Sequence, residues 1–251
     1  MERKEEVNIW AIGDPHLSFK NGKLAKPMSK FGDQWVDHPE KIASYWKQVI
    51  QKTDLVCVVG DISWALKISE VEEDLEYFNN LPGHKIYIRG NHDFWWASLK
   101  KVNDLLPAND FALNGNVLEY DDFVIGGNRL WDVPGLLWDP YYEHVADKSF
   151  LTKADNDQKT YLKEKARLEK CLEEIKNSPK TKILLLHYPP TTPDLIGTEI
   201  CEMIEDAKID HCIFGHLHGL QKPNDFYGEK NGVQYHLVSC DMVDFKIKKI
   251  I

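Results

Sequence analysis

The chain has 251 residues, 43% hydrophobic and 28% charged, which fits a globular protein with a buried core and excludes collagenous, disordered and disulfide-scaffold classes. Lysine and arginine number 31 against 40 aspartates and glutamates, a net charge of −9, so the surface repels phosphate backbones and disfavours long nucleic acids and anionic membrane surfaces as partners. Five cysteines in no C-x-x-C spacing read as reduced, mostly buried thiols.

Residues 2–6 are charged and lead straight into an apolar run without a signal-type hydrophobic region, and no stretch reaches the roughly 18 apolar residues of a membrane span. A cytoplasmic location is therefore expected. Short apolar runs at 7–12, 54–59, 85–88, 123–126, 182–186, 211–214 and 233–238 predict strands, with another at 245–250. Helical spacing appears behind Pro39 (Ile42, Trp46, Val49, Ile50) and behind a Ser69-x-x-Glu72 capping box (Val71, Leu75, Phe78). It recurs over 154–178 (Tyr161, Leu168, Leu172, Ile175) and at Ile200, Ile204 and Ala207. Strands alternating with helices argue for an α/β layered fold, and the closing strands without a helix between them argue for mixed sheets. The stretch 127–147 is aromatic and proline-rich without a period, a candidate binding loop or cap. The expected organisation is a single domain over 1–251 with a cap or insertion at about 127–178.

Chemistry-bearing residues follow directly on the predicted strands. They are Gly13-Asp14-Pro15-His16, Gly60-Asp61, Gly90-Asn91-His92-Asp93, His187 and Gly215-His216-Leu217-His218. Ligands of open α/β sheets bind just beyond the carboxyl ends of strands, so these ends would bring the groups to one rim. A mixed shell of imidazole, carboxylate and amide oxygen suits divalent Mn, Fe, Co, Ni or Zn rather than Ca, and the set is large enough for two ions. The bland reading of each residue alone is a turn or cap at a strand end.

The succession D-x-H, G-D, G-N-H-D, a lone His and G-H-x-H, over positions 13–218, resembles the calcineurin-like metallophosphoesterase superfamily. The resemblance implies a four-layer αββα sandwich with two mixed β-sheets and a dinuclear metal site at the carboxyl ends of the strands. It implies Asp14, His16, Asp61 and His218 around one ion, and Asp61, Asn91, His187 and His216 around the other. His92 is the implied catalytic imidazole, and neighbouring Asp93 is a candidate to support its protonation. One departure is Trp64, which stands where the family's protein serine/threonine phosphatases carry the second aspartate of G-D-x-x-D-R-G. That argues against a protein phosphatase.

Two ions about 3.5–4 Å apart would bind phosphate oxygens and lower the pKa of a bridging water toward about 7, so that hydroxide attacks phosphorus while His92 protonates the leaving oxygen. The expected activity is hydrolysis of a small-molecule phosphomonoester or phosphodiester. A nuclease of the same superfamily and an inactive interaction scaffold are the alternatives; net charge weighs against the first and the complete ligand set against the second. Trp95 and Trp131 are candidate substrate contacts, the alternative being core packing for Trp95 and loop packing for Trp131. His38, His84, His144, His211 and His236 fit no motif slot and read as surface or core residues.

Overall fold

A five-residue run of Leu, Val, Cys, Val and Val forms β4 (Leu55–Val59), buried along its whole length as an interior parallel strand requires. The computed structural model describes residues 7–142, 158–221 and 227–251, which divide into two units, one running to residue 112 and including 238–251, the other spanning 113–237.

In the first unit, β4 pairs in parallel with β1 (Ile9–Ile12) and with β5 (His84–Ile88). β6 (Phe111–Leu113) forms one edge of this sheet and β13 (Lys248–Lys249), antiparallel to β1, the other. β2 (Phe19–Lys20) and β3 (Lys23–Leu24) make a separate hairpin. Helices α1 (His38–Val49), α2 (Glu72–Asn79) and α3 (Leu99–Asn103) contribute Ile42, Trp46, Leu75, Phe78 and Val102 to a core cluster that also holds Ile12, Val56, Val58 and Tyr87 from the strands. Each such fully buried large side chain contributes about 1.5–3 kcal/mol. The α1 stripe and Pro39 at its start are as expected.

The capping box is not formed. Ser69 sits in a separate 3-10 turn, Ile68–Glu70, and α2 starts behind Val71 without a side-chain cap. Its acidic first turn serves other partners: Glu73 accepts from the amides of Asn21 and Gly22, and Asp74 from that of Phe19 and from the Ser63 hydroxyl. The strand expected at 245–250 shortens to β13, because Asp244 and Phe245 take φ values of 54° and 56° and the Phe245 amide turns back to the Cys240 carbonyl.

In the second unit, β8 (Phe123–Asn128), β9 (Thr181–Leu186), β10 (His211–Phe214) and β12 (Val233–Leu237) run parallel, flanked by antiparallel β7 (Asn116–Tyr120) and β11 (Glu229–Lys230). Residues 127–128 thus belong to β8, and a stretch of the expected cap, 143–157, lies outside the described residues, as does His144. Helix α4 (Gln158–Ile175) buries the expected Tyr161, Leu168, Leu172 and Ile175 and packs on β7 and β8. The start of the predicted 154–178 helix also falls outside the described residues. Helix α5 (Glu199–Asp206) is capped by the Thr198 hydroxyl, which accepts from the Cys201 amide. Both units carry a mixed sheet with helices, the α/β architecture expected from the alternation of elements.

Close packing of α4 depends on Gly126. A Cβ there would lie 2.5 Å from Cys171 Sγ and 2.6 Å from Ile175 Cδ1, so Gly126→Ala is expected to lower unfolding free energy by about 1–3 kcal/mol, measured by urea denaturation.

His211 and His236 pair through Nδ1 and Nε2 at 3.1 Å. This bond needs a ring nitrogen without a proton, and burial holds His211 below the usual histidine value, with Asp210 opposing that shift. The folded state therefore binds fewer protons than the unfolded one, so stability is complete above about pH 6.5 and is lost as pH falls below it. Urea midpoints should drop between pH 7 and pH 5, and His211→Gln should flatten that slope.

Candidate functional site

Both units place their chemistry-bearing residues immediately after parallel strands. In the first, the loops beyond β1 and β4 stay zipped together: the Asp14 amide donates to the Gly60 carbonyl at 3.0 Å and the His16 amide to the Asp61 carbonyl at 3.0 Å. Keeping that pairing while turning the side chains inward puts Asp14, His16 and Asp61 at φ values of 57°, 45° and 49°. Such left-handed conformations cost of order 1–3 kcal/mol each and persist only where the surroundings enforce them.

The three side chains meet in a buried cluster. His16 Nε2 stands 3.7 Å from Asp61 Oδ2, and a donor atom of Asp14 lies within 4.8 Å of one on His16 and of one on Asp61. Asp61 Oδ1 accepts the His92 amide at 2.8 Å. Gly90 makes room for this carboxylate, since a Cβ at that position would fall 2.1 Å from Asp61 Oδ1. Asn91 is half-buried at the head of the same loop. The His92 ring lies 5.8 Å from that of His16.

Asp93 turns into the protein. Its Oδ1 accepts from the amides of Ile62 (2.9 Å) and Ser63 (3.1 Å) and from the Trp95 indole (2.9 Å), while Oδ2 accepts from the Gly90 amide (2.7 Å). It therefore ties the loop after β4 to the loop after β5. Burial, followed by the nearby Asp61 charge, pushes its pKa up to about 6 against the opposing pull of these bonds. Trp95 is 2% exposed and takes the core-packing alternative rather than a place on a pocket wall. Replacing Asp93 with Ala would leave four buried N–H groups dry, and that loss should outweigh the relief of repulsion with Asp61. A loss of about 3 kcal/mol in unfolding free energy is expected in chemical denaturation.

Trp64 is the residue whose role sequence reading missed. Its ring stacks on His16 at 4.9 Å and lies tilted against His92 at 4.7 Å. Trp35 approaches His16 edge-on at 6.3 Å. Buried His38, one of the histidines outside any motif, contacts the Pro15 and Trp35 carbonyls through its two ring nitrogens, bracing the chain between Asp14 and His16.

In the second unit, His187 follows β9 and is fully buried; its amide donates to the Arg129 carbonyl and its own carbonyl accepts from the Gly215 amide, each at 3.2 Å. That bond brings the loop after β10 alongside, and the rings of His187 and His216 meet edge to face at 5.1 Å. His216 has a φ of 72°. Tyr188, also unforeseen, packs 4.1 Å from His216, and Trp131 packs 5.0 Å from Tyr188 with the Arg129 guanidinium 4.5 Å above its indole. Trp131 thus reaches a candidate ligand through one intervening ring. His218 is half-buried two residues further along.

The profile of the calcineurin-like phosphoesterases matches residues 7–220. The chain belongs to this family. It is also similar to the Gene 66 proteins of Mycobacterium phages D29 and L5, at 33% and 30% identity over 86 residues, 34% of this chain. The matched segment spans 40% of the length of those relatives. Among solved structures, the phosphopantetheinyl hydrolase PptH of Mycobacterium tuberculosis shares the fold with a TM-score of 0.56, at 14% identity, over 98% of this chain and 96% of that one.

The residues present fit the divalent metals that this family binds. Two buried carboxylates and an imidazole converge at Asp14, Asp61 and His16, and negative charge withdrawn from water in this way calls for a cation. No helix among the described residues is long and apolar enough to cross a membrane.

Proposed function

We propose that the chain is a dinuclear-metal phosphoesterase acting on a small-molecule phosphomonoester or phosphodiester, with residues 1–251 serving as one catalytic domain. The observation that carries this reading is the buried convergence of Asp14, His16 and Asp61 beside the His92 ring. Asp14, His16, Asp61 and His218 would hold one ion, and Asp61, Asn91, His187 and His216 the second. The donor set suits manganese or another divalent transition metal such as Fe, Zn, Co or Ni. Bound there, the metals would supply Lewis-acid polarisation of the phosphoryl group and an activated water.

The protein's own groups do the rest. Asp61 is presented to the site by the Gly90 cradle and the His92 amide, so the loop carrying the proton donor is fixed to the shared ligand. His92 donates a proton to the departing oxygen, and Asp93 positions it by holding both loops. Trp131, backed by Tyr188, offers a ring for the remainder of the substrate. The net charge of −9 favours small anions delivered to the metals over long nucleic acids. All five cysteines are free and buried, which supports a reducing, cytoplasmic setting.

Two variants test this. Asp61→Ala should lose most bound metal by elemental analysis, together with activity; retention of two equivalents would refute a shared ligand. His92→Ala should keep metal yet lose about 10²–10⁴-fold in kcat on alkyl or nucleoside esters. The loss should be smaller on p-nitrophenyl esters, whose leaving group departs without a proton. A panel of nucleotides, cyclic nucleotides, sugar phosphates and phosphopantetheinyl esters, run with Mn, Fe, Zn, Co and Ni, would define the substrate class.

A further inference from the structure

His92 contacts two aromatic rings that the proposed reaction has not used. Trp64 is half-buried, 4.7 Å from the His92 ring, and is held by Lys26, whose ammonium donates to the Trp64 carbonyl at 3.1 Å and lies 5.8 Å above its indole. Phe94 approaches the same imidazole edge to face at 6.4 Å. Its amide donates to the His92 carbonyl at 2.8 Å, which fixes the backbone that carries both rings. Yet Phe94 is 58% exposed. An isolated exposed phenylalanine needs no explanation, but this one lies against the ring of the proposed proton donor, which Trp64 also contacts.

A group that protonates the leaving oxygen must come within about 2.6–3.2 Å of it. The carbon skeleton attached to that oxygen then passes beside the His92 ring, and of the rings that touch it His16 is a proposed metal ligand, which leaves Trp64 and Phe94 as the apolar ones. We propose that Trp64 and Phe94 form a leaving-group seat, which selects phosphoesters whose leaving group is a flat aromatic or similarly broad apolar body. This inference rests on His92 acting at the leaving-group side. Trp64 has a second duty, stacking on His16, so Phe94 is the residue to vary.

The test compares 2-naphthyl with phenyl phosphate, whose phenols have similar acidity but different apolar area, on metal-loaded wild type, Phe94→Ala and Phe94→Trp. The naphthyl-over-phenyl ratio of kcat/KM should fall about fivefold in Phe94→Ala, the worth of the second ring's burial, and be kept in Phe94→Trp. Calorimetric binding of 2-naphthylphosphonate and phenylphosphonate should follow the same order. If Phe94→Ala fails to fold by circular dichroism, Phe94→Leu, which removes only the ring, is read in its place. An unchanged ratio in turnover and binding, or no naphthyl preference in the wild type, would overturn the seat. Absence of turnover with every metal, alongside a binding preference that Phe94→Ala abolishes, would support the seat and refute the catalytic reading instead.

Discussion

Parallel pairing of β1 with β4 and of β4 with β5 delivers three chain ends to the same edge of one sheet. The register sets Ile12 against Val58 and Val59 against Ile88, so Asp14, Asp61 and Asn91 emerge within a few residues of one another in height. Three loops leaving a common edge would ordinarily diverge. Here the amides of Asp14, His16 and Leu17 continue to donate to Gly60, Asp61 and Ile62 beyond the ends of the strands. Left-handed backbone at Asp14, His16 and Asp61 follows from the two demands of pairing outward and presenting side chains inward.

That strain is held in place by a carboxylate with a full set of donors. Asp93 gathers four N–H groups from two loops, and it does so beside Asp61, at the cost of charge repulsion that raises its own pKa. Asp74 acts in a similar way further from the cluster, accepting from Phe19 and Ser63 with its pKa pushed up to about 6 mainly by burial. Buried acids are expensive unless bonded, and here each is bonded to amides or hydroxyls of loops distant in sequence, so it holds those loops together behind this edge.

The second unit reaches a comparable result by shorter means. A single backbone bond between Gly215 and His187 aligns the ends of β9 and β10, and ring contacts with Tyr188 orient His216. Aromatic packing there stands where the first unit has carboxylate bracing, with Arg129 over Trp131, Trp131 on Tyr188 and Tyr188 on His216.

Much of this was legible in the residue order. Strand runs such as Leu55–Val59 and the G-D, G-N-H-D and G-H-x-H ends are local patterns, because a buried parallel strand must be continuously apolar and the chemistry sits where it stops. The stripe of α4 was legible for the same reason, its period being a property of neighbouring residues. Tertiary partners decided what local pattern left open. Ser69 is no cap, since it is taken into a separate 3-10 turn, and Glu73 and Asp74 in the first turn of α2 instead accept from Phe19, Asn21 and Gly22, some fifty residues away. Phe245 leaves the extended conformation because its amide turns back to Cys240. Trp95 is drawn inward by Asp93, while Trp64, in sequence only a departure from a motif, stacks on His16 across a loop contact that no spacing rule encodes. Periodicity and motif order depend on adjacent residues and are written in the chain, whereas the partner of a buried polar or aromatic group is chosen by the packed fold around it.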